Sequence, residues 1–310
     1  MSSSPPVRIG ARGSPLSLAQ TGLVRDALTA ANPRRTFEIV PIVTTGDRIQ
    51  DRRLQEAGGK GLFTKELDEA MLDRRVDLAV HSMKDLPTAL PDGIVLAGVP
   101  AREDPRDALI CALDVRSLTD LPERARIGTA SLRRQAQLLS LRPTFQISML
   151  RGNVETRLRK VAEGEVDATL LAYSGLRRLG LQRHVKALLD PQDSPPAGGQ
   201  GALAITARHG DDDMAVVLAP LEDVATRLEI TAERAFLAAL DGSCRTPIAA
   251  LGRWADGVMS FIGESLTPDG ARCWRRRTKE PCLTQADAAA LGLRLGASLR
   301  IEAGEALYRD

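Results

Sequence analysis

The stretch VRIGARGSPLSLAQTGLVRDALTAA, residues 7–31, decides the fold. Its first five residues, VRIGA, read as a strand, GARGS (10–14) turns the chain, and SPLSLAQTGLVRDALTAA (14–31) reads as a helix. Ser14 stands at the N-cap and Pro15 at the first helical position, where a missing N–H costs nothing and the fixed φ suits the helix. A strand feeding straight into a helix opens a βαβ unit, and the residues that follow continue it. TFEIVPIVTT (36–45) is a second strand, and LFTKELDEAMLDRR (62–75) carries Leu62, Phe63, Leu67, Ala70 and Met71 at helical spacing. VDLAVHS and GIVLAGVP (93–100) supply two more strands. Alternation of this kind implies a mainly parallel sheet with helices on its faces.

AREDPRD (101–107), charged and broken by a proline, reads as a crossover into a second domain. There the same grammar returns: strand ARIGTA, helix SLRRQAQLLSLR, strand FQISML, helix VETRLRKVAEG, strand DATLLA, then YSGLRRLGL. DPQDSPPAGGQG (190–201) is a return hinge, ALAITAR (202–208) a strand, and DVATRLEITAERAFLAAL (223–240) a helix that opens a third region. From PIAALGRW onward the strands read as short and hairpin-like, with a closing helix near TQADAAALGLRLGASL. The expected organisation is an α/β domain of residues 1–100 completed by 201–219, a second α/β domain of residues 101–200, and a small α+β domain of residues 220–310.

Composition narrows the function. A chain of 310 residues, 43% hydrophobic and 26% charged, is an ordinary globular protein with room for two or three domains. Only nine residues are aromatic, so the core must be aliphatic. No apolar run approaches the ~20 residues that span a bilayer, and MSSSPPVRIGARGS lacks the apolar stretch of a secretory signal. A cytoplasmic protein without a membrane partner is expected. Four cysteines, Cys111, Cys244, Cys273 and Cys282, match no zinc spacing, and no metal site is expected. The net charge of +2 hides a bias, because only six of the 42 basic residues are lysine. Arginine is the side chain that grips carboxylates bidentately. A nucleic-acid surface is disfavoured, since no basic stripe is interleaved with aromatics.

Chemistry concentrates at the turns. HSMKD (81–85) ends a strand, and in open α/β sheets ligands are met beyond the carboxyl ends of strands. As a bare loop it would be a solvated Lys84–Asp85 pair. GARGS, AGGKGLF (57–63), GTASLRRQ (128–135) and LRGNVETR (150–157) bring Arg12, Lys60, Arg133, Arg134, Arg151 and Arg157 to helix starts, which are anion sites by geometry. One strand–glycine–helix turn is only a turn. Several at one polarity imply a ligand rich in negative charge, and without Walker or G-x-G-x-x-G spacing a nucleotide is not indicated. In ERAFLAALDGSCRTPIA (233–249) a helix stops at Asp241–Gly242 and Cys244 follows on a tight turn beside Arg245. That thiol is either a small buried filler or a reactive group.

GGKGLFTKELD, HSMKDLP, EDPRDA, GTASLRRQAQL, LRGNVETRL and ERAFLAALDGSCRTPIA, in this order, resemble the porphobilinogen deaminases, also called hydroxymethylbilane synthases. The likeness runs from Arg8 to about Gly252. It implies two domains resembling periplasmic binding proteins with the active site between them, a third small domain, and a role in porphyrin biosynthesis. It also implies a dipyrromethane cofactor joined by a thioether to Cys244, the cysteine followed by the R-T-P-I turn. Four porphobilinogen units would be added head to tail, each losing ammonia, and the linear tetrapyrrole hydroxymethylbilane released by hydrolysis. A monomer acting on this small-molecule substrate is expected.

Carried over residue by residue, the resemblance makes Asp85 the catalytic residue. It places Ser82, Lys84, Asp85, Thr129, Ser131, Arg133, Arg134, Arg157 and Gly175 at the cofactor. It places Arg12, Ser14, Gln20, Lys60, Phe63, Arg151, Arg178 and Gln200 at the substrate. Loss of ammonia from porphobilinogen leaves an electron-poor azafulvenium, which a buried carboxylate accepting pyrrole N–H bonds would stabilise. Each pyrrole also brings an acetate and a propionate, for which the arginines supply countercharge. One position departs from the family. Where a lysine often stands four residues before Lys60, this chain has Glu56, which either faces solvent or leaves the contact to Arg52 or Arg53. Two other classes stay in view: a solute-binding protein, which has no use for Cys244 or Asp85, and a phosphate-dependent transferase, which needs a metal-binding carboxylate pair that the glycine turns lack.

Overall fold

A computed structural model describes residues 5–48, 63–240 and 246–308. The first run of elements is β1 (Val7–Arg12), α1 (Pro15–Ala31), β2 (Phe37–Ile42), α2 (Thr45–Arg48), α3 (Lys65–Leu72), β3 (Leu78–Ser82) and β4 (Ile94–Gly98). The second is β5 (Asp107–Cys111), β6 (Arg126–Gly128), α4 (Leu132–Leu141), β7 (Gln146–Ser148), α5 (Val154–Ala162), β8 (Ala168–Ala172), α6 (Tyr173–Arg178) and β9 (Ala187–Leu188). β10 (Leu203–Arg208), α7 (Asp212–Leu218) and α8 (Val224–Ala239) follow, then β11 (Ile248–Ala255), β12 (Val258–Leu266), β13 (Cys273–Pro281) and α9 (Gln285–Ala303). The chain divides into two compact units, Met1–Glu103 with Ala202–Arg227 and Asp104–Gly201 with Leu228–Asp310.

In the first unit the strand order is β2-β1-β3-β10-β4. β1 runs parallel to β2 and β3, while the returning β10 lies antiparallel between β3 and β4. The carboxyl ends of β1 and β3, Arg12 and Ser82, therefore share one edge with the start of α1. Ser14 caps that helix, its hydroxyl accepting from the Ser17 N–H at 3.3 Å, with Pro15 in the first turn as the sequence predicts. Val24 and Leu28 of α1 pack with Leu78, Val80 and Ile205 on one face of the sheet, and Leu67 and Met71 of α3 with Ala79 on the other. Burial on both faces explains why the strands read as near-continuous apolar runs.

The second unit repeats the plan. Its sheet order is β7-β6-β8-β5-β9, with β7, β6 and β8 parallel and β5 antiparallel to β8 and β9. Alternate residues of β5 enter opposite cores: Leu109 and Cys111 join Ile127 and Leu138, while Ala108 and Ile110 join Leu150 and Val161. Because β5 is antiparallel, its first residue, Asp107, lies opposite Ala172 at the carboxyl end of β8. That is the edge where α4 also begins.

The strands after Pro247 are not short. β11, β12 and β13 have 8, 9 and 9 residues and form an antiparallel sheet of their own. At Gly263 a Cβ would lie 2.5 Å from the Phe236 ring, so β12 runs on beneath a helix side chain that fills the space. The charges of β13 (WRRRTKE) likewise mask a strand whose neighbours lie on one side only. α8 and α9 cover this sheet through Phe236, Met259, Phe261, Leu291 and Leu295. Cβ atoms at Gly292 and Gly296 would meet the carbonyl oxygens of Ala232 and Phe236 at 2.1 and 2.8 Å, so the two helices touch backbone to backbone. The β12–β13 turn in turn presses on α4: Gly270, at φ +72°, has no room for a Cβ beside the Ala136 carbonyl, and Gln135 donates to the Pro268 carbonyl at 3.2 Å.

Candidate active site

In the first unit Arg12, Ser14, Ser17, Gln20, Phe63, Thr64, His81, Ser82 and Asp85 line one pocket at the carboxyl edge of β1 and β3. The Arg12 guanidinium stacks 4.0 Å from the centroid of the Phe63 ring, which holds the fork flat. The Gln20 side-chain amide and the Ser82 hydroxyl bond each other, with Nε2 to Oγ at 2.9 Å and Oγ to Oε1 at 3.2 Å. His81 is buried, its Nε2 3.0 Å from the Thr206 hydroxyl. Burial, with the nearby Arg12 charge, pushes its pKa down to about 4, so at neutral pH it is a neutral hydrogen-bonding group. Sequence reasoning raised His81 without giving it a role and passed over Thr206, whose link to it runs between antiparallel strands.

Asp85 ends a single turn of 3-10 helix, Met83–Asp85, that follows β3. It is exposed, as is Lys84, which corrects the expectation of a buried carboxylate: a short turn at a sheet edge leaves its last side chain at the pocket mouth. Lys60, Cys244, Glu56, Arg52 and Arg53 lie outside the described residues.

The second unit gathers the other arginines. Ser131 caps α4 by accepting from the Arg134 N–H at 3.4 Å, and the Thr129 hydroxyl accepts from the Ser131 N–H at 3.1 Å. Both arginines of the first α4 turn run inward, to 6% exposure each. The Arg133 Nη1 donates to Gln137 and to the Pro195 carbonyl, while its Nη2 donates to Asp107 at 2.8 Å. Arg134 Nη2 donates to the other Asp107 oxygen at 2.7 Å. Burial works to raise the Asp107 carboxyl, but Arg133 and Arg134 overcome it and hold the group well below the usual carboxylate range. Gln200, also buried, gives its Nε2 hydrogens to Asp107 and the Pro105 carbonyl at 2.8 and 2.7 Å. Arg178 donates to the Gly201 carbonyl at 2.7 Å, and Gly175 is buried in α6. Within EDPRDA, Asp107 reads in sequence as one more loop charge. The available signal was a carboxylate opening the wholly apolar run ALIC.

Among the described residues Asp107 is the carboxylate that accepts from both Arg133 and Arg134. The pKa of Arg157 is pulled down to about 10, first by burial and then by the charges of Arg134 and Arg151. Among the described residues the Nε–H groups of Arg133 and Arg134 are buried and find no hydrogen-bond partner. A buried N–H left so costs about 1–3 kcal/mol, more when charged. Crowded cations with an unused donor suit an anion, and the carboxylates of a dipyrromethane are of that kind.

The porphobilinogen deaminase family model for the dipyromethane cofactor binding domain matches residues 7–216, and the model for the C-terminal domain of the same family matches residues 227–300. The chain belongs to the porphobilinogen deaminase family. Among porphobilinogen deaminases it is 52% identical to that of Phenylobacterium zucineum (strain HLK1) over 99% of each chain. It is 54% identical to that of Caulobacter sp. (strain K31) over 97% of this chain and 98% of the relative. Among solved structures it is similar to the periplasmic aliphatic sulphonate binding protein of Escherichia coli, with a TM-score of 0.42, 16% identity, and 76% and 71% of the two chains covered. A periplasmic solute binding protein from Desulfovibrio salexigens gives a TM-score of 0.42 at 11% identity, covering 71% and 73%. Among the described residues no group of three or more His, Cys, Asp and Glu is placed to hold a metal ion, and no helix is long and apolar enough to cross a membrane.

Proposed function

We propose that this chain is a hydroxymethylbilane synthase, a transferase that condenses four porphobilinogen molecules head to tail with loss of ammonia and releases the linear tetrapyrrole by hydrolysis. Beyond the family itself, one observation carries the reading. Arg157 is buried near Arg134 and Arg151, and burial first and their charges second pull its pKa down to about 10, while Asp107 is the one carboxylate among the described residues that accepts from the α4 pair. A substrate that adds two carboxylates per unit answers that excess of charge. A dipyrromethane, joined to Cys244 by a thioether, would supply the primer pyrrole to which the units are added.

The chain's own residues then divide the work. Arg12, with its fork flattened on Phe63, and Lys60 hold the acetate and propionate of incoming porphobilinogen, beside Ser14 and the Gln20–Ser82 pair. Asp85, with Lys84 next to it, accepts pyrrole N–H bonds and sets a fixed negative charge against the cation left when ammonia departs. Thr129, Ser131, Arg133, Arg134 and Arg157 hold cofactor carboxylates, with Gly175 leaving room for backbone approach. Arg151, Arg178 and Gln200 act on the growing chain. We further propose that residues 1–100 with 201–219, 101–200 and 220–310 are three folding domains, each with its own sheet, and that the protein works as a cytoplasmic monomer.

Intact mass tests the reading. Freshly purified protein should exceed the mass of the bare chain by two pyrrole units, and Cys244→Ser should lack both the adduct and the activity. An adduct that persists in Cys244→Ser, or bare mass in an active wild type, would overturn it.

A further inference from the structure

We propose that Asp107 is a positioning residue for substrate and cofactor recognition: it aims the guanidinium of Arg134 and the side chain of Gln200 at the carboxylate site without itself touching the ligand. The inference rests on the reading that Arg134 binds carboxylates.

Three observations carry it. First, Asp107 is 1% exposed and accepts from three side chains, Arg133 at one oxygen and Arg134 and Gln200 at the other. These partners are 26, 27 and 93 residues away, so the carboxylate ties the first turn of α4 to the hinge segment before β10. Second, the bonds are divided rather than concentrated. Each guanidinium gives Asp107 one Nη2 hydrogen instead of a two-bond fork, and the Arg134 Nε–H stays buried and unpartnered. Were Asp107 there to neutralise Arg134, the bidentate pair would serve better. One bond to each fixes both planes and leaves donor capacity for an anion. Third, a buried ion cluster is a poor way to stabilise a fold, since packed apolar residues of similar volume do as well or better. Its place at the start of antiparallel β5, level with Ala172 at the carboxyl end of β8, puts it at the functional edge of the sheet.

The neighbouring groups sort into different roles. Arg133 spends Nη1 on Gln137 and the Pro195 carbonyl, so that nitrogen braces α4 against the hinge segment. Gln137 extends that brace by donating to Glu264 of β12 at 2.8 Å. Among the described residues the Arg134 guanidinium donates to Asp107 alone, so its orientation depends on Asp107.

Asp107→Asn is nearly isosteric, but it places an N–H₂ where one guanidinium must donate, so Arg133 or Arg134 has to swing away. Steady-state kinetics with porphobilinogen on holoenzyme, normalised to the adduct seen by intact mass, read the consequence. The expected result is a KM raised about ten- to a hundredfold, the effect of one lost charge-assisted hydrogen bond, with kcat within a few-fold because ground and transition states lose the same contact. The circular dichroism spectrum should be that of wild type. Asp107→Glu keeps the charge, moves it by one methylene, and should fall between. Arg134→Lys separates the two layers. If Arg134→Lys raises KM while folded Asp107→Asn does not, the positioning role is wrong and carboxylate binding by Arg134 stands. If neither moves KM or the fraction of chains that carry the adduct, that binding fails and the inference falls with it. If Asp107→Asn and Asp107→Glu both fail to fold, Asp107 serves the fold alone and the proposal is overturned.

Discussion

Replacing Asp85 by Asn should slow product formation by about 10²–10³ while leaving the protein as stable as wild type. Both halves of that expectation come from where the side chain sits. Asp85 is exposed at the end of a one-turn 3-10 helix and lines the pocket with Arg12 and Ser82. A surface side chain so placed changes stability by about 0.5 kcal/mol or less when its charge is removed. The charge matters only when a cation forms beside it. Two unit charges about 4 Å apart near a protein surface interact by about 4 kcal/mol, which is about three orders of magnitude in rate. Asn keeps one acceptor oxygen and nearly the same volume, so what it loses is the charge. Glu keeps the charge, displaced by one methylene, and should retain partial activity. The assay is product formed per adduct-bearing molecule, with thermal unfolding run in parallel. The required order is wild type, then Glu, then Asn, at equal midpoints. Activity of Asn equal to or above that of Glu would show that Asp85 acts through a neutral hydrogen bond or through the turn, and the electrostatic argument would be lost.

Arg12→Lys keeps the charge but gives up the stack on Phe63 and the flat fork, so KM for porphobilinogen should rise up to about tenfold with kcat little changed; an unaltered KM would place Arg12 outside the site. Gly292→Ala would put a Cβ 2.1 Å from the Ala232 carbonyl oxygen and prise α9 from α8, so it should cost about 1–3 kcal/mol or more in denaturant unfolding, and an unchanged midpoint would contradict the backbone contact. Two buried groups oppose each other in pH dependence. His81, with its pKa lowered to about 4 by burial and Arg12, takes up its proton more readily unfolded, so its contribution to stability is present above pH 6.5 and lost as pH falls toward 4. Asp68, with its pKa raised to about 6 by burial, contributes stability that is present below the unfolded value near 4 and lost as pH rises through 6. Between pH 4 and 6 the Asp68→Asn protein should therefore gain stability with rising pH more steeply than wild type, and His81→Asn should gain less or lose it; parallel unfolding curves for all three would refute both assignments.

Local rules carried the sequence a long way here. The helix start at Ser14–Pro15 needs only a hydroxyl and a fixed φ, and the strand-to-helix turns at Arg12, Ser131 and Asn153 depend on residues within a few positions of one another. The alternation of those elements was enough for two α/β sheets, and six ordered motifs were enough for the family. Tertiary structure decided whatever joins distant residues. That β10 and β5 run antiparallel inside otherwise parallel sheets follows from where the chain crosses and returns, which no local pattern encodes. β12 continues through Gly263 because Phe236, 27 positions earlier, fills the missing side chain's place. Asp107 reads as one more charge in a loop until antiparallel β5 sets it between Arg133 and Arg134, with Gln200 closing from the hinge. A charge in sequence has only its neighbours to interact with, and water screens them. Folding removes the water and chooses the partners, and that choice gathers these arginines around Asp107.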